Sequence, residues 1–458
     1  MTPRALHAAD ALLPTGWARD VLIEWNGDGT LTGVAPHAAP SLDAGVPRAA
    51  GPVLPGIANL HSHAFQRALA GLAQRAERRD ESFWSWRERM YALVAHLSPE
   101  DVQVLARRVY IELLKAGWTA VAEFHYLHRD ARGRAYADPA ELALRIVAAA
   151  RETGIGLTLL PALYRLGGFG ERPVAGAQKR FAIGVDDFLH LLERVREHGA
   201  REGFVTGTAL HSLRAVAAAD MRTVLQTLPR ASVIHIHIAE QRREVDECLA
   251  WSGRRPLDWL FAHAPVDARW CLVHATHVDA TELARLAGSH AVAGLCPSTE
   301  ADLGDGLFPA TEYGALNGSF GIGTDSHVRV DPAGELRLLE WGQRLRLERR
   351  ACLASPGQPS VGGFLLRRAL AGGAQACGQP TGALAPGRRA DWVVLDGAQP
   401  LLAGAHGDAI TERWIFGGDS RFVRDVMVGG RWCVREGHHP LEAQADAAFA
   451  SVIARVTA

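Results

Sequence analysis

Residues 53–67 read VLPGIANLHSHAFQR, an apolar run that breaks at Pro55-Gly56 and ends in His61 and His63 with one serine between them. On a strand, residues two apart face the same side. Both imidazoles then address one point in space, which suits a metal ion. What decides the fold is whether other strands end in partners for that pair.

They do. Working outward, short β-branched runs recur: GWTAVAEFHYLH (117–128), GIGLTLLPALY (154–164), FVTGTALHSL (204–213), SVIHIHIAE (232–240), RWCLVHATHV (269–278), HAVAGLCPST (290–299) and GSFGIGTDSHV (318–328). Helical patterns with start and stop signals separate them. Ser98 and Pro99 open one that Gly117 ends, and Asp138 with Pro139 open another that Gly154 ends. Eight strands alternating with helices predict a parallel sheet closed as a (β/α)8 TIM barrel. An open doubly wound sheet is the competitor, but it gathers its ligand at one switch point. Here polar residues end several strands: His235, His237 and Glu240; His274 and His277; Asp325 and His327. A barrel brings all such ends to one rim, and imidazoles with one carboxylate suit Zn²⁺ with a position left open for water.

Outside this span the pattern changes. VLIEWNGDGTLTGVAP (21–36) and the runs at 384–397 and 421–437 read as short strands with glycine turns. They predict a small β-sandwich domain built from both chain ends. The expected division is 1–52 and 381–458 for that domain and 53–380 for a catalytic barrel of the metal-dependent hydrolase type. The glycine-rich stretch 167–181 is expected to be a mobile lid.

Composition narrows the function classes. With 49 basic against 50 acidic side chains the formal net charge is -1, so neither nucleic acid nor an anionic membrane is expected as a partner. The N-terminus has no basic-then-apolar signal pattern and no long apolar run follows. A cytoplasmic protein with six reduced, buried cysteines is therefore expected. The only lysines are Lys115 and Lys179. Neither lies near the fourth strand's end, where a bridging carbamylated lysine would hold a second metal, so one metal per chain is predicted.

The strings HSH, HIAE, VHATH and GTDSH resemble those of the amidohydrolase superfamily, in its mononuclear deaminating branch. ANLHSHAFQRALAGL, SFWSWRERMY, EFHYLH, LHSLRAV and LCPSTEADLGDGLFP extend the resemblance, over nearly the whole chain, to the family of formimidoylglutamate deiminases of histidine breakdown. That resemblance implies zinc ligands His61, His63, His237 and Asp325, with Glu240 and His274 as catalytic partners and Asp325 also taking the water's proton. It also implies a homodimer. Where the family more often has a proline, this chain has Ala209-Leu210 ahead of His211.

A formimino substrate with two carboxylates needs cationic or hydrogen-bonding partners. Arginine grips carboxylates with a planar fork, which singles out Arg214 at the rim beside His211; the resemblance adds Arg87, and Gln66 and Tyr126 end the first and second strand regions as neutral donors. Two other functions stay in view. A deaminase of a nucleobase or other heterocycle would want aromatic stacking and amide donors in place of arginines. A non-catalytic barrel serving as an interaction module would have lost ligands.

Overall fold

The computed structural model describes residues 4–38, 45–72, 74 and 82–457. Residues 1–3 and 39–44 of the expected N-terminal part therefore lie outside the described residues.

Eight parallel strands form the barrel: β1 (Ile57–Ser62), β2 (Trp118–His125), β3 (Gly156–Leu163), β4 (Thr208–Ser212), β5 (Ile234–Ile238), β6 (Trp270–His274), β7 (Val292–Leu295) and β8 (Ser319–Ile322). Each lies beside its sequence neighbour, as right-handed βα units require. Closure between β8 and β1 comes at the rim, where the amides of Thr324 and Asp325 donate to His61 O at 3.2 and 3.0 Å and that of His63 donates to Asp325 O at 3.0 Å. The strands are buried on both faces, which explains their continuous hydrophobicity.

A buried polar chain locks the same seam. Asn59 Nδ2 donates to Thr324 Oγ1 at 2.6 Å, and Thr324 Oγ1 lies 2.8 Å from His327 Nδ1. His327 Nε2 lies 2.9 Å from Ser62 Oγ, which donates to Glu123 Oε2 at 2.5 Å. Glu123 also accepts from the Ala64 amide and the Tyr110 hydroxyl. Every group has a partner, the condition under which burying polar atoms fixes a geometry rather than weakening it. His327, one of the strand-end candidates, is thus committed to the seam.

The helix Pro99–Ala116 starts where expected. Asp101 N donates to Ser98 Oγ at 3.2 Å and Ser98 N to Asp101 Oδ2 at 2.7 Å, a capping box worth ~1 kcal/mol. The next helix starts later than expected: it spans Glu141–Thr153, and Asp138 instead accepts from the Ala140 amide in the turn before it.

Both chain ends share one continuous seven-stranded sheet, in the order Arg431–Val434, Val423–Val428, Trp392–Leu395, Val53–Pro55, Arg4–Leu13, Gly16–Trp25, Leu31–Ala35. The opening motif is therefore two strands, and the expected boundary at 53 shifts: residues 53–55 belong to this sheet and the barrel begins at Ile57. Gly56 makes the switch because a Cβ there would fall 2.4 Å from Thr119 Oγ1 and 2.6 Å from Asp391 Cβ. The C-terminal segment is also more than strands. Its helix Glu442–Val456 packs on Pro99–Ala116, with Lys115–Glu442 and Arg108–Asp446 ion pairs.

All six cysteines are free and buried. Among the described residues no helix is long and apolar enough to cross a membrane.

Candidate active site

His61 and His63 end β1, His237 lies on β5, His274 ends β6, and Asp325 follows β8 by three residues. The barrel brings them together. His237 Nε2 stands 3.0 Å from His61 Nε2 and 3.3 Å from His63 Nε2, and Asp325 Oδ1 stands 3.4 Å from both His61 and His63 Nε2. Four atoms ~2.0–2.1 Å from a tetrahedral zinc ion are separated by roughly 3.3 Å, so these edges fit that ion.

The imidazole tautomers point the same way. His63 Nδ1 donates to Phe124 O at 2.8 Å and His237 Nδ1 to His211 O at 2.9 Å. Carbonyls only accept, so the proton sits on Nδ1 and the Nε2 lone pairs face each other. Without a cation between them that arrangement is repulsive. Burial, joined by neighbouring histidines, drives His237 well below the ordinary imidazole range, and burial lowers His61 to about 3. Both are neutral at neutral pH, the form that ligates a metal. Asp325 is held low against the opposing effect of burial, by its hydrogen bond to His61 and by His61, His63 and His274.

Two of the other strand-end histidines do other work. His235, two residues below His237 on the same strand, gives Nε2 to Ala376 O at 2.9 Å. His277 is half-buried outside the cavity, and its carbonyl accepts from Arg255. Lys115 sits in a helix and Lys179 in a short turn of 3-10 helix at 176–180.

Beside the ligand cluster, His274 Nε2 lies 3.7 Å from Glu240 Oε1 and 3.8 Å from Asp325 Oδ2. Glu240, Glu300 and Asp325 hold His274 up at about 10, although burial pulls it down. Burial raises Glu240 above the ordinary carboxylate range, with Asp325 and Glu244 adding to it and His274 and Arg214 opposing. An imidazolium and a carboxyl that can hold or release a proton near neutrality thus stand side by side.

The cavity above them, about 550 Å³ counting its mouth, is also lined by Gln66, Arg87, Tyr126, His211 and Arg214. Gln66 Nε2 donates to Tyr126 Oη at 2.8 Å while Gln66 Oε1 is buried without a partner. Arg87 Nε and Arg214 Nε are likewise buried with no hydrogen-bond partner; Arg214 comes only within 3.9 Å of Glu240 and Glu244. At His211 the β4–β5 register slips by one residue, Ile236 facing Leu210 and His237 facing Ser212.

Two groups, Glu300 and Asp305, escaped sequence reasoning, while Cys296 stands at a strand end and is set aside as a ligand. Glu300 accepts from His274 Nδ1 at 3.2 Å and from the Cys296 amide at 2.9 Å. Asp305 accepts from Gln241, and burial, then Glu240, pushes its carboxyl far up. The Cys296 sulfur lies with His274 and Asp325 in a compact group, but burial raises its thiol well above the usual range and keeps it protonated. Glu300 and Asp305 both stand in the quoted LCPSTEADLGDGLFP, yet nothing in their spacing ties them to His274 or Gln241.

Comparison with known proteins supplies the context. The family model "Amidohydrolase family" matches residues 53–433, and "Formimidoylglutamate deiminase HutF, N-terminal domain" matches 3–44. The chain is 56% identical over 98% of both sequences to a formimidoylglutamate deiminase of Pseudomonas aeruginosa. It is 30% identical, over 84% of this chain and 81% of the other, to a 5-methylthioadenosine/S-adenosylhomocysteine deaminase of Natronomonas pharaonis. Among solved structures, an amidohydrolase from Brucella melitensis superposes with a TM-score of 0.94 at 44% identity, covering 99% of this chain and 100% of that one.

Proposed function

This chain belongs to the amidohydrolase family, and we propose that its site works with one zinc ion held by His61, His63, His237 and Asp325. Its activity is formimidoylglutamate deimination, the hydrolysis of N-formimino-L-glutamate to N-formyl-L-glutamate and ammonia in histidine degradation. The observation that carries the residue roles is the polarity of the cavity. Histidines and carboxylates line it together with Arg87 and Arg214, whose buried Nε atoms have no hydrogen-bond partner.

The zinc ion supplies a Lewis acid that makes water a nucleophile near neutral pH. Asp325, ionised, accepts a proton from the attacking water as the C–O bond forms at the amidine carbon. His274 donates from Nε2 to the attacking oxygen and holds it in line. Glu240 delivers a proton to the departing nitrogen; the C–N bond breaks and ammonia leaves. Arg214 and Arg87 take the two substrate carboxylates, and Gln66, Tyr126 and His211 supply the neutral contacts. A buried carboxylate left unpaired costs several kcal/mol, so the clamp favours this substrate over an uncharged heterocycle.

Ammonia release from N-formimino-L-glutamate, measured beside guanine, cytosine and adenosine, tests the reading. Wild type should act on the first alone, and Arg214→Met should lose ~2–5 kcal/mol of binding to the bound state while keeping its metal. Equal processing of formiminoglutamate by Arg214→Met and wild type would remove the clamp.

A further inference from the structure

A second cavity, about 450 Å³ counting its mouth, adjoins the catalytic one, and Arg87, Tyr164, His211 and Arg214 line both. These four residues are the wall between them. The second cavity brings together Arg87, Arg172, Arg214 and Arg243 with a single carboxylate, Glu247. Three of the guanidiniums converge on Trp84: Arg87 and Arg243 each stand 4.4 Å from its ring centroid, and Arg214 stands at 5.8 Å.

Like charges gathered this closely repel. The face of the indole offsets part of that cost, and Glu247, 2.8 Å from Arg243 Nε, offsets another part. Arg87 and Arg214 keep buried Nε atoms with no hydrogen-bond partner, Arg214 reaching Glu240 and Glu244 only at 3.9 Å. Arg172 is held over the cavity by a tight reversal in which the Gly167 amide donates to Arg172 O at 2.7 Å. Only glycine fits at 167, since a Cβ would fall 2.5 Å from Pro173 O. A positive chamber with an acid-rich catalytic floor beyond it sets up a field along one line.

We propose that this second cavity is a carboxylate-binding antechamber. Arg172 and Arg243 receive the carboxylate end of a small dicarboxylate and pass it to Arg87 and Arg214. The inference rests on the formiminoglutamate reading. That substrate is dipolar along its length: the amidinium sits on the α-nitrogen beside the α-carboxylate, and the γ-carboxylate lies at the far end. The field turns it so that the amidinium leads toward Glu240 and Asp325 while the γ-carboxylate trails among the arginines. No bond is made or broken in the antechamber.

The test uses the metal-loaded full chain and reads kcat/KM for N-formimino-L-glutamate across ionic strength. The Arg172→Gln/Arg243→Gln double variant should lose about tenfold in kcat/KM at low salt, the lower end of electrostatic steering. The loss should sit in KM and shrink as screening shortens the reach of the charges. Glu247→Gln, which removes the one carboxylate among the described lining residues, should raise kcat/KM at low salt, and it decides the matter if the double variant does not fold. Salt curves superposing on wild type for Glu247→Gln and for a folded double variant would overturn the antechamber while leaving the deiminase reading intact. Wild type that fails to turn over formiminoglutamate would overturn the reading beneath it.

Discussion

His274 is flanked by carboxylates on both sides, and the two have different work. Glu240 faces Nε2 at 3.7 Å, where the proposed mechanism has it protonate the departing nitrogen, whereas Glu300 engages Nδ1 at 3.2 Å and is itself fixed by the Cys296 amide. Glu240→Gln should therefore leave the metal bound while lowering kcat by ~10²–10⁴, the range for a general acid–base group. His237→Ala should lose metal instead, and metal analysis alongside turnover separates the two effects. Glu300→Gln keeps an acceptor for the Cys296 amide but removes the charge that orients His274. Its kcat should fall by roughly 10–100-fold, the usual cost of losing an orienting partner, with metal content unchanged. Wild-type turnover in that variant would reduce Glu300 to a cap on its own helix.

Strand ends and helix starts carry these residues, and several adopt backbones that side chains rarely take. Ala239, His274, Ala275, Asp325 and His327 all have φ between 48° and 69°. Such left-handed residues cost ~1–3 kcal/mol each and persist where surrounding bonds over-determine them. Here the amide of Ala275 donates to Ile238 O and that of His277 to Ala239 O, each at 3.0 Å. The bend takes each chain out of strand register just where its side chain must reach the rim. Helix packing beside the rim makes a pH-dependent contact. On the helix Pro332–Leu347, Glu335 Oε2 accepts from Ser298 N at 2.8 Å, and burial pushes its carboxyl up to about 8. A folded value above the ordinary 4.5 of a free glutamate means that the folded state keeps a proton the unfolded chain has lost. From this group, stability is fully present below about 4.5, falls as pH rises, and levels off above about 8. Glu335→Gln should flatten that decline in Tm between pH 5 and 8, and identical wild-type and variant slopes would show Glu335 ionised throughout.

For the molecule as a whole, metal and fold should be linked. His61, His63, His237 and Asp325 come from β1, from β5 and from just beyond β8, so an ion among them ties together distant parts of the barrel. Purified protein should contain close to one equivalent of zinc per chain. Chelation should abolish ammonia release and lower Tm, because a ligand bound only by the folded state stabilises it by mass action. Two tightly held equivalents would sink the one-metal reading. The absence of a lysine near the end of β4 is the sequence feature that prediction rests on.

The sequence by itself determined the barrel, because the apolar strand run is a local signal repeated eight times with helical patterns between. It also marked His61, His63, His237, Glu240, His274, Asp325 and Arg214, since such residues at successive strand ends have one place to meet, while Arg87 was marked by the family resemblance alone. It left His235, His277 and His327 as open as the other strand-end residues. Only the tertiary structure separated them, because the Ala376 carbonyl, the Arg255 contact and the Ser62–Thr324 seam come from segments far away in the chain. The switch of sheets at Gly56, the C-terminal helix on Pro99–Ala116, and Glu300 behind His274 were hidden for the same reason. Each depends on which distant atom stands within 3–4 Å, and periodicity holds no record of that.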